Sequence, residues 1–270
     1  GFEPASNLIK FTKEGTHKVI NDFFNVASFR EHFNSSQAKV ITSIAMFYDL
    51  EDPNTFVSDI RNLLEKDGVW INQMNYLGTM LEYNAFDNIS HEHLEYYSLS
   101  SLQYLLHRHN LEVFDVELNE LNGGSIRAYI AHKGTHQISP KVAEIQETEK
   151  HLNSLKSYEL FVTRITNIRD SLLNFVDTEI AKGKSIYVYG ASTRGSTLLQ
   201  YFNLDSKRII AAAERNPVKW GKKMIGTNIP IISEEDARNA NPDYFLVLPW
   251  AFINEFELRE KNFLDNGGLW

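Results

Sequence analysis

From Asp87 to Ser98 the chain reads Asp-Asn-Ile-Ser-His-Glu-His-Leu-Glu-Tyr-Tyr-Ser, a run dense in ionisable and hydroxyl side chains. An imidazole beside a carboxylate, as in His91-Glu92-His93, suits proton transfer near neutral pH. His-x-His in a loop can also chelate, but there is no His-Glu-x-x-His pattern and no third ligand, so no metal is expected. The plainer alternative is that both imidazoles only hydrogen-bond loop backbone.

A second candidate is Gly190-Ala-Ser-Thr-Arg-Gly195, between an apolar β-branched run and a helical one. Such a turn aims backbone N–H groups and a helix N-terminus at a phosphate or carboxylate. Ser192, Thr193, Arg194 and Ser196 add donors, and Glu214 follows at about the offset where an acid meets a ribose hydroxyl. The spacing is Gly-x-x-x-x-Gly rather than Gly-x-Gly-x-x-Gly, and no Lys follows the second glycine, so a turn built for packing stays open beside anion binding. Asn122-Gly123-Gly124 reads as a hairpin turn, with Arg127 beside it as a possible clamp on a phosphate or carboxylate; the pattern does not decide between the two. Glu3 stands where an acid at a strand end can meet ribose hydroxyls, and Asp22, Phe23 and Phe24 could line an aromatic pocket or serve the core.

The elements that position these residues alternate. A short helix is expected over Asn7 to Lys13, a short strand over Lys18 to Asn21, and a buried strand over Lys39 to Tyr48. Pro53 opens a helix, Asp67-Gly68 turns the chain, and Val69 to Met74 is a strand. A helix over Ser100 to Asn110 leads into strands Leu111 to Leu118 and Ser125 to His132, an antiparallel pair. From Pro140 to Lys182 the pattern is helical, as one long helix or two stacked ones. Strands follow over Ser185 to Tyr189, Arg208 to Ala213 and Asp243 to Leu248, with a helix from Asn254 and an apolar strand starting at Asn266 to Trp270. Strand, glycine turn, helix, strand and acid open a doubly wound nucleotide-binding fold.

Composition narrows the classes. Hydrophobic residues make up 43% of the 270, enough for packed cores, and a net charge of −8 argues against a nucleic-acid surface. No apolar run approaches the ~20 residues of a membrane span. Absence of cysteine excludes disulfides and Cys-bound zinc within the chain and is compatible with a cytoplasmic location. The chain starts at Gly1 without Met and reads as an internal piece of a longer protein.

Together these segments resemble the S-adenosylmethionine-dependent sugar C-methyltransferase family, which includes nucleotide-sugar 3-C-methyltransferases of deoxysugar pathways. The likeness runs in order through GFEPASN, NDFF, IAMFYDLEDP, FDNISHEHLEYYSLSSL, NGGSIRAYIAHKG, YGASTRGSTLLQY, AAERNPVKWGKKMIGTNIPIIS and PDYFLVLPWAF. It implies an α/β fold of two Rossmann-like lobes joined by helix: a methyltransferase-type sheet with an antiparallel edge, then a second doubly wound sheet. Residues 1–139 would be the methyltransferase domain without its first strand and glycine motif, 140–183 connecting helices, and 184–270 the C-terminal Rossmann-like domain. S-adenosylmethionine is the implied cofactor, with zinc only in a further N-terminal domain upstream. Glu3 corresponds to the acid that holds the adenosyl ribose, Asp22 and Phe23 to the adenine pocket, and His93 to the catalytic base with Glu92 beside it. Ser90, His91, Asp49, Arg127, Ser192, Arg194 and Glu214 are the expected contacts to a nucleotide-linked sugar.

The chain departs from that family in two places. The usual Tyr before His-Glu-His is Ser90, and the usual Asn and His after the fourth strand are Ala45 and Asp49. These changes leave three readings: C-methylation of a keto-sugar, methylation of oxygen or of a non-sugar acceptor, and a non-catalytic module that binds a nucleotide-sugar.

Overall fold

The computed structural model describes residues 1–12 and 15–269. Lys13, the last residue of the first expected helix, and Trp270, the end of the last expected strand, lie outside the described residues. In order, the chain forms α1 (Ile9–Thr12), α2 (Val26–Phe33), β1 (Ala38–Ile44), α3 (Pro53–Leu63), β2 (Leu64–Asn75), α4 (Leu77–Glu82), α5 (Leu99–His107), β3 (Leu111–Asn119), β4 (Ser125–His132), α6 (Pro140–Thr148) and α7 (Leu155–Ala181). It continues with β5 (Ile186–Tyr189), α8 (Thr193–Tyr201), β6 (Ala212–Glu214), β7 (Ile231–Ser233), α9 (Glu234–Asn239), β8 (Tyr244–Val247), α10 (Ile253–Arg259) and α11 (Lys261–Asp265). Among the described residues no helix is long and apolar enough to cross a membrane.

The chain divides into two compact units that are interleaved in sequence. The first comprises Gly1–Tyr76, Leu94–Asn119 and Ser125–Lys150; the second comprises Leu77–His93, Glu120–Gly124 and His151–Trp270. The first unit carries a sheet of order β1-β2-β4-β3. Its β1–β2 pair is parallel, and β4 runs antiparallel to both β2 and β3. Phe47, Ile60, Trp70, Leu102, Leu106, Val113 and Ile130 fill its core.

Two boundaries in this unit differ from the sequence reading. The first strand ends at Ile44 rather than Tyr48, because Ala45 takes a left-handed conformation (φ 53°) that leaves the extended region. A 3-10 turn, Phe47–Asp49, then carries Phe47 and Tyr48 into the core. At Asp67-Gly68 the chain bulges instead of turning: β2 begins at Leu64, and the register jumps between Ala38↔Leu64 and Val40↔Val69. A Cβ on Gly68 would sit 2.9 Å from the Ala38 carbonyl oxygen, so glycine permits the close approach.

The second unit carries an all-parallel sheet of order β7-β6-β5-β8. One face packs Val188 and Ala212 with Leu199, Phe161, Ile165 and Val176, and the other packs Tyr187, Tyr189, Ala213 and Phe245 with Phe256. Burial on both faces explains why β5 and β8 read as continuous apolar runs. Leu269 makes a parallel bridge to Tyr244 beside β8. The helical run 140–182 is broken by a 3-10 segment, Glu149–Asn153. Val142 and Ile145 of α6 belong to the first core, and Leu152, Ile165 and Val176 to the second.

Glu149, at that break, is 3% exposed. Its carboxylate accepts from the Tyr76 hydroxyl (2.9 Å), the Leu99 and Ser100 N–H groups and the Ser100 hydroxyl (2.7 Å). Leu99 and Ser100 open α5, where a negative charge also meets the positive end of the helix dipole. Ser98 and Ser101 complete the cap as a reciprocal box. Replacing Glu149 by Ala should lower the unfolding free energy by about 3 kcal/mol, since several buried donors lose their acceptor. Urea unfolding should show this as a lower midpoint, with a smaller loss in Glu149→Gln, which keeps one acceptor oxygen.

Candidate active site

The His-Glu-His segment closes the first stretch of the second unit. Its backbone is a chain of tight turns: Ile89 N–H donates to Phe86 O (2.8 Å), Ser90 N–H to Asn88 O (3.0 Å), and His93 N–H to Ser90 O (3.2 Å). Nδ1 of His93 lies 2.7 Å from the Asn88 carbonyl oxygen. A carbonyl only accepts, so Nδ1 carries the proton, and in the neutral ring the lone pair sits on Nε2. The geometry therefore fixes the tautomer that can act as a base through Nε2. The Ser90 hydroxyl is buried and takes no hydrogen bond among the described residues. Tyr97 belongs to the first unit, 5.2 Å from the Phe47 ring; burial, with a smaller effect of Glu95, holds its phenol protonated far above the ordinary range. Its ring packs in the first core.

His91 and Glu92 are exposed and line a cleft of about 460 Å³ with Ser192, Thr193, Ser196, Lys219 and Lys223. Two segments a hundred residues apart in sequence thus meet at the N-terminal end of α8. Ser192 is the N-cap of α8 and accepts from Gly195 N–H (3.0 Å). Gly190 (φ 89°) has no room for a side chain, because a Cβ would lie 2.7 Å from Pro249. The cleft thus combines a helix N-terminus, the hydroxyls of Ser192, Thr193, Ser196 and Thr197 and two ammonium groups, a set suited to an anion.

Three residues expected at an acceptor are engaged within the protein. Oε2 of Glu214 accepts from Ala191 N–H (3.1 Å) and Lys219 Nζ (3.1 Å), and Oε1 from Asn216 N–H (2.9 Å). The Lys219 ammonium also donates to Ala191 O (2.8 Å), so acid and base together brace the glycine turn. Arg194 points away from the cleft to Asp87, with Nε 2.8 Å and Nη2 2.6 Å from Oδ2, and donates from Nη1 to Asn122 O (3.0 Å). Arg127 belongs to the first unit, where it donates to Gln73 Oε1 (2.8 Å) and lies 3.4 Å from Glu117 Oε2, its neighbours across the sheet. The Asn122-Gly123-Gly124 segment is a packed turn: a Cβ on Gly123 would lie 2.7 Å from the Trp250 ring. Sequence reasoning missed Lys219, Lys223 and the Asn88 carbonyl. Lys219 carried a usable signal, five residues after the acid that ends β6.

In the first unit, Phe2 and Ile20 form a parallel bridge, which brings Glu3 and Asp22 to the same end of two short strand segments. The Asn21 amide ties them by donating to the Glu3 and Pro4 carbonyls (2.8 and 3.0 Å). Oε1 of Glu3 accepts from Ala5 N–H (2.8 Å), and Oε2 takes no hydrogen bond among the described residues. Phe23 is 71% exposed, whereas Phe24 packs on Phe2 and Phe56, so one ring of the pair faces solvent and the other the core. A carboxylate with an open oxygen, a second carboxylate and an exposed aromatic face fit the ribose hydroxyls and base of an adenosyl group. Among the described residues no group of three or more His, Asp or Glu side chains is arranged to hold a metal ion.

Ala45 stands apart in the backbone. The other non-glycine residues with positive φ are Asn34, Asn84, Asn110, Asn122, Asn203, Asn228 and Asn241, all asparagine, which tolerates the left-handed region. Ala45 is also the position of the asparagine that the family pattern expects, and Asp49, exposed, closes the 3-10 turn after it. Ala45→Asn should therefore raise stability by about 1 kcal/mol in urea unfolding. A second expectation concerns acid. Burial pushes the Glu214 carboxyl up, but the Asn216 and Ala191 N–H groups and Lys219 outweigh burial and hold it below the ordinary glutamate range. Such a group contributes stability that is complete above its unfolded value of about 4.3 and is lost as pH falls through the lowered folded value. Stepping urea unfolding from pH 7 to pH 3 should show a steeper acid loss in wild type than in Glu214→Gln.

Residues 120–270 match the family model for a C-methyltransferase C-terminal domain, and residues 1–116 match one for a methyltransferase domain. The C-methyltransferase NovU of Streptomyces niveus is 33% identical over 272 residues, covering 99% of this chain. The chain spans 65% of that relative's length. An S-adenosylmethionine-dependent methyltransferase from Clostridium acetobutylicum is 12% identical over 49% of this chain and 74% of its own, with a TM-score of 0.37. A possible histamine N-methyltransferase from Thermotoga maritima is 15% identical over 47% of this chain and 70% of its own, with a TM-score of 0.36. At those scores the structural likeness adds no weight to the sequence matches. With a C-methyltransferase C-terminal domain over more than half its length and a methyltransferase domain before it, the chain belongs to the S-adenosylmethionine-dependent C-methyltransferase family.

Proposed function

We propose that the protein transfers a methyl group from S-adenosylmethionine to a carbon of a nucleotide-linked keto-sugar, after a base removes the proton from that carbon. The observation that carries this reading is the bond from His93 Nδ1 to the Asn88 carbonyl, which leaves Nε2 as the basic nitrogen. The bound donor supplies an electrophilic methyl group. A sugar carbon becomes a nucleophile only when it loses a proton made acidic by a neighbouring keto group, and Nε2 of His93 receives that proton. Glu92 and His91, beside the base, meet the sugar hydroxyls, with Ser90 as a further acceptor contact. Ser192, the α8 N-terminus, Lys219 and Lys223 hold the diphosphate. In the first unit, Glu3 holds the adenosyl ribose, and Asp22 and Phe23 take the adenine. Residues 1–139 would then carry the donor site and the base, and residues 184–270 the anionic end of the acceptor.

A second reading, methylation of oxygen or of a non-sugar acceptor, is favoured by Ala45, Asp49 and Ser90, which replace the family's Asn, His and Tyr.

Methyl transfer from labelled S-adenosylmethionine to a panel of nucleotide-linked keto-sugars tests the proposal in the intact protein. His93→Gln should lower kcat by about 10²–10⁴-fold and leave S-adenosylmethionine binding unchanged. Exchange of the sugar C3 proton with solvent deuterium should depend on His93 even without the donor. Near-normal turnover in His93→Gln would overturn the assignment of the base and favour the second reading.

A further inference from the structure

Asp87 opens the His-Glu-His run, yet it does not face a ligand. Its side chain is 3% exposed and meets two distant segments of the second unit, at Arg194 and Trp250. Arg194 binds it through Nε and Nη2, and the Trp250 indole N–H approaches Oδ1 at 3.4 Å. The same guanidinium holds the Asn122 carbonyl (3.0 Å). Asp87 sits inside the 3-10 turn Phe86–Asn88, and the preceding Phe86 ring packs on Tyr201 and Phe202 at the far end of α8 (5.1 and 5.3 Å). The turn is therefore clamped along α8 by a charge at one end and by aromatic rings at the other. The last residue of the turn, Asn88, supplies the carbonyl that fixes the His93 ring.

We infer that Arg194 and Asp87 are positioning residues for the base. Their ion pair sets where the Asn88 carbonyl lies, and that carbonyl sets the tautomer and orientation of His93. Arg194 is the second residue of α8, whose first turn lines the 460 Å³ cleft. The element that presents donors to the acceptor's anionic end thereby also holds the base. The fork geometry matters: Lys could pair with Asp87 but could not span Asp87 and Asn122 together. The catalytic consequence rests on the function proposed above; the tautomer does not.

The test combines two readouts on the full chain. Nitrogen-15 NMR of labelled histidines, with His93 assigned through His93→Gln, reports which ring nitrogen carries the proton. In wild type at pH 8, His93 should be the Nδ1–H tautomer. In Asp87→Asn, which leaves only the partly exposed Arg194 charge (side chain 25% exposed) and so keeps the fold testable, and in Arg194→Gln, it should become a mixture dominated by Nε2–H, as in an exposed imidazole. Arg194→Lys should restore the signal only in part. With a nucleotide-linked keto-sugar that wild type methylates, kcat should fall by about 10²-fold in Asp87→Asn while the KM for S-adenosylmethionine stays within about twofold, because the base is misplaced and the donor residues are not. An unaltered Nδ1–H signal in folded Asp87→Asn would overturn the inference. A tautomer change without turnover in wild type on any acceptor would refute the proposed reaction and uphold the positioning role.

Discussion

A carboxylate almost wholly removed from water must be paired, and much of the second unit is arranged around pairing Asp87. Its partner, Arg194, lies 107 residues further along the chain, and the other groups held with it come from Asn122 and Trp250. Removing one partner of such a pair typically costs about 3–5 kcal/mol, because the other charge is left buried and uncompensated. The pair thus holds the segment before His93, the packed glycine turn and α8 to one another. A hydrophobic contact of the same size would stabilise equally well but would fix the turn less sharply, since dispersion has no preferred direction.

The same economy of charge shapes the cleft beside α8. An acid at the end of the second strand of a doubly wound sheet is suited to a ribose hydroxyl. Here Glu214 is instead shared among two backbone N–H groups and Lys219, and it stiffens the glycine turn. Rim and donors are thereby separated: the charged residues of the turn hold its shape, while Ser192, Thr193, Ser196 and Lys223 face the open space. The role proposed for this cleft rests on the hydroxyls, Lys219 and Lys223 and not on Glu214 or Arg194.

Much of the fold was legible because buried parallel strands must be continuously apolar. Ser185 to Tyr189 and Asp243 to Leu248 matched β5 and β8 closely for that reason, as did the antiparallel pair around Asn122 to Gly124. β7 escaped because it is three residues long and follows a proline. The end of β1 was misjudged because Ala45 gives no compositional hint of a left-handed backbone. In the candidate site, the residue types around His93 were legible, but their partners were not. Asp87 looked like one more ionisable group in a functional run, and only the tertiary structure reveals that its charge is spent on Arg194. Glu149 lies in the run expected to be helical throughout, and nothing in the pattern shows that it caps α5 from fifty residues away.

The Asp87–Arg194 pair holds the turn before the base and not the sheet as a whole. Amide hydrogen exchange in Asp87→Asn tests this residue by residue. The N–H groups of Ile89 and His93, which bond within the loop, should exchange at least about tenfold faster than in wild type. Those of Val188 and Ala212, which bond across the parallel sheet to Ala211 and Pro230, should keep their wild-type rates. Equal rates at all four amides in variant and wild type, or a uniform rise at all four, would contradict the account.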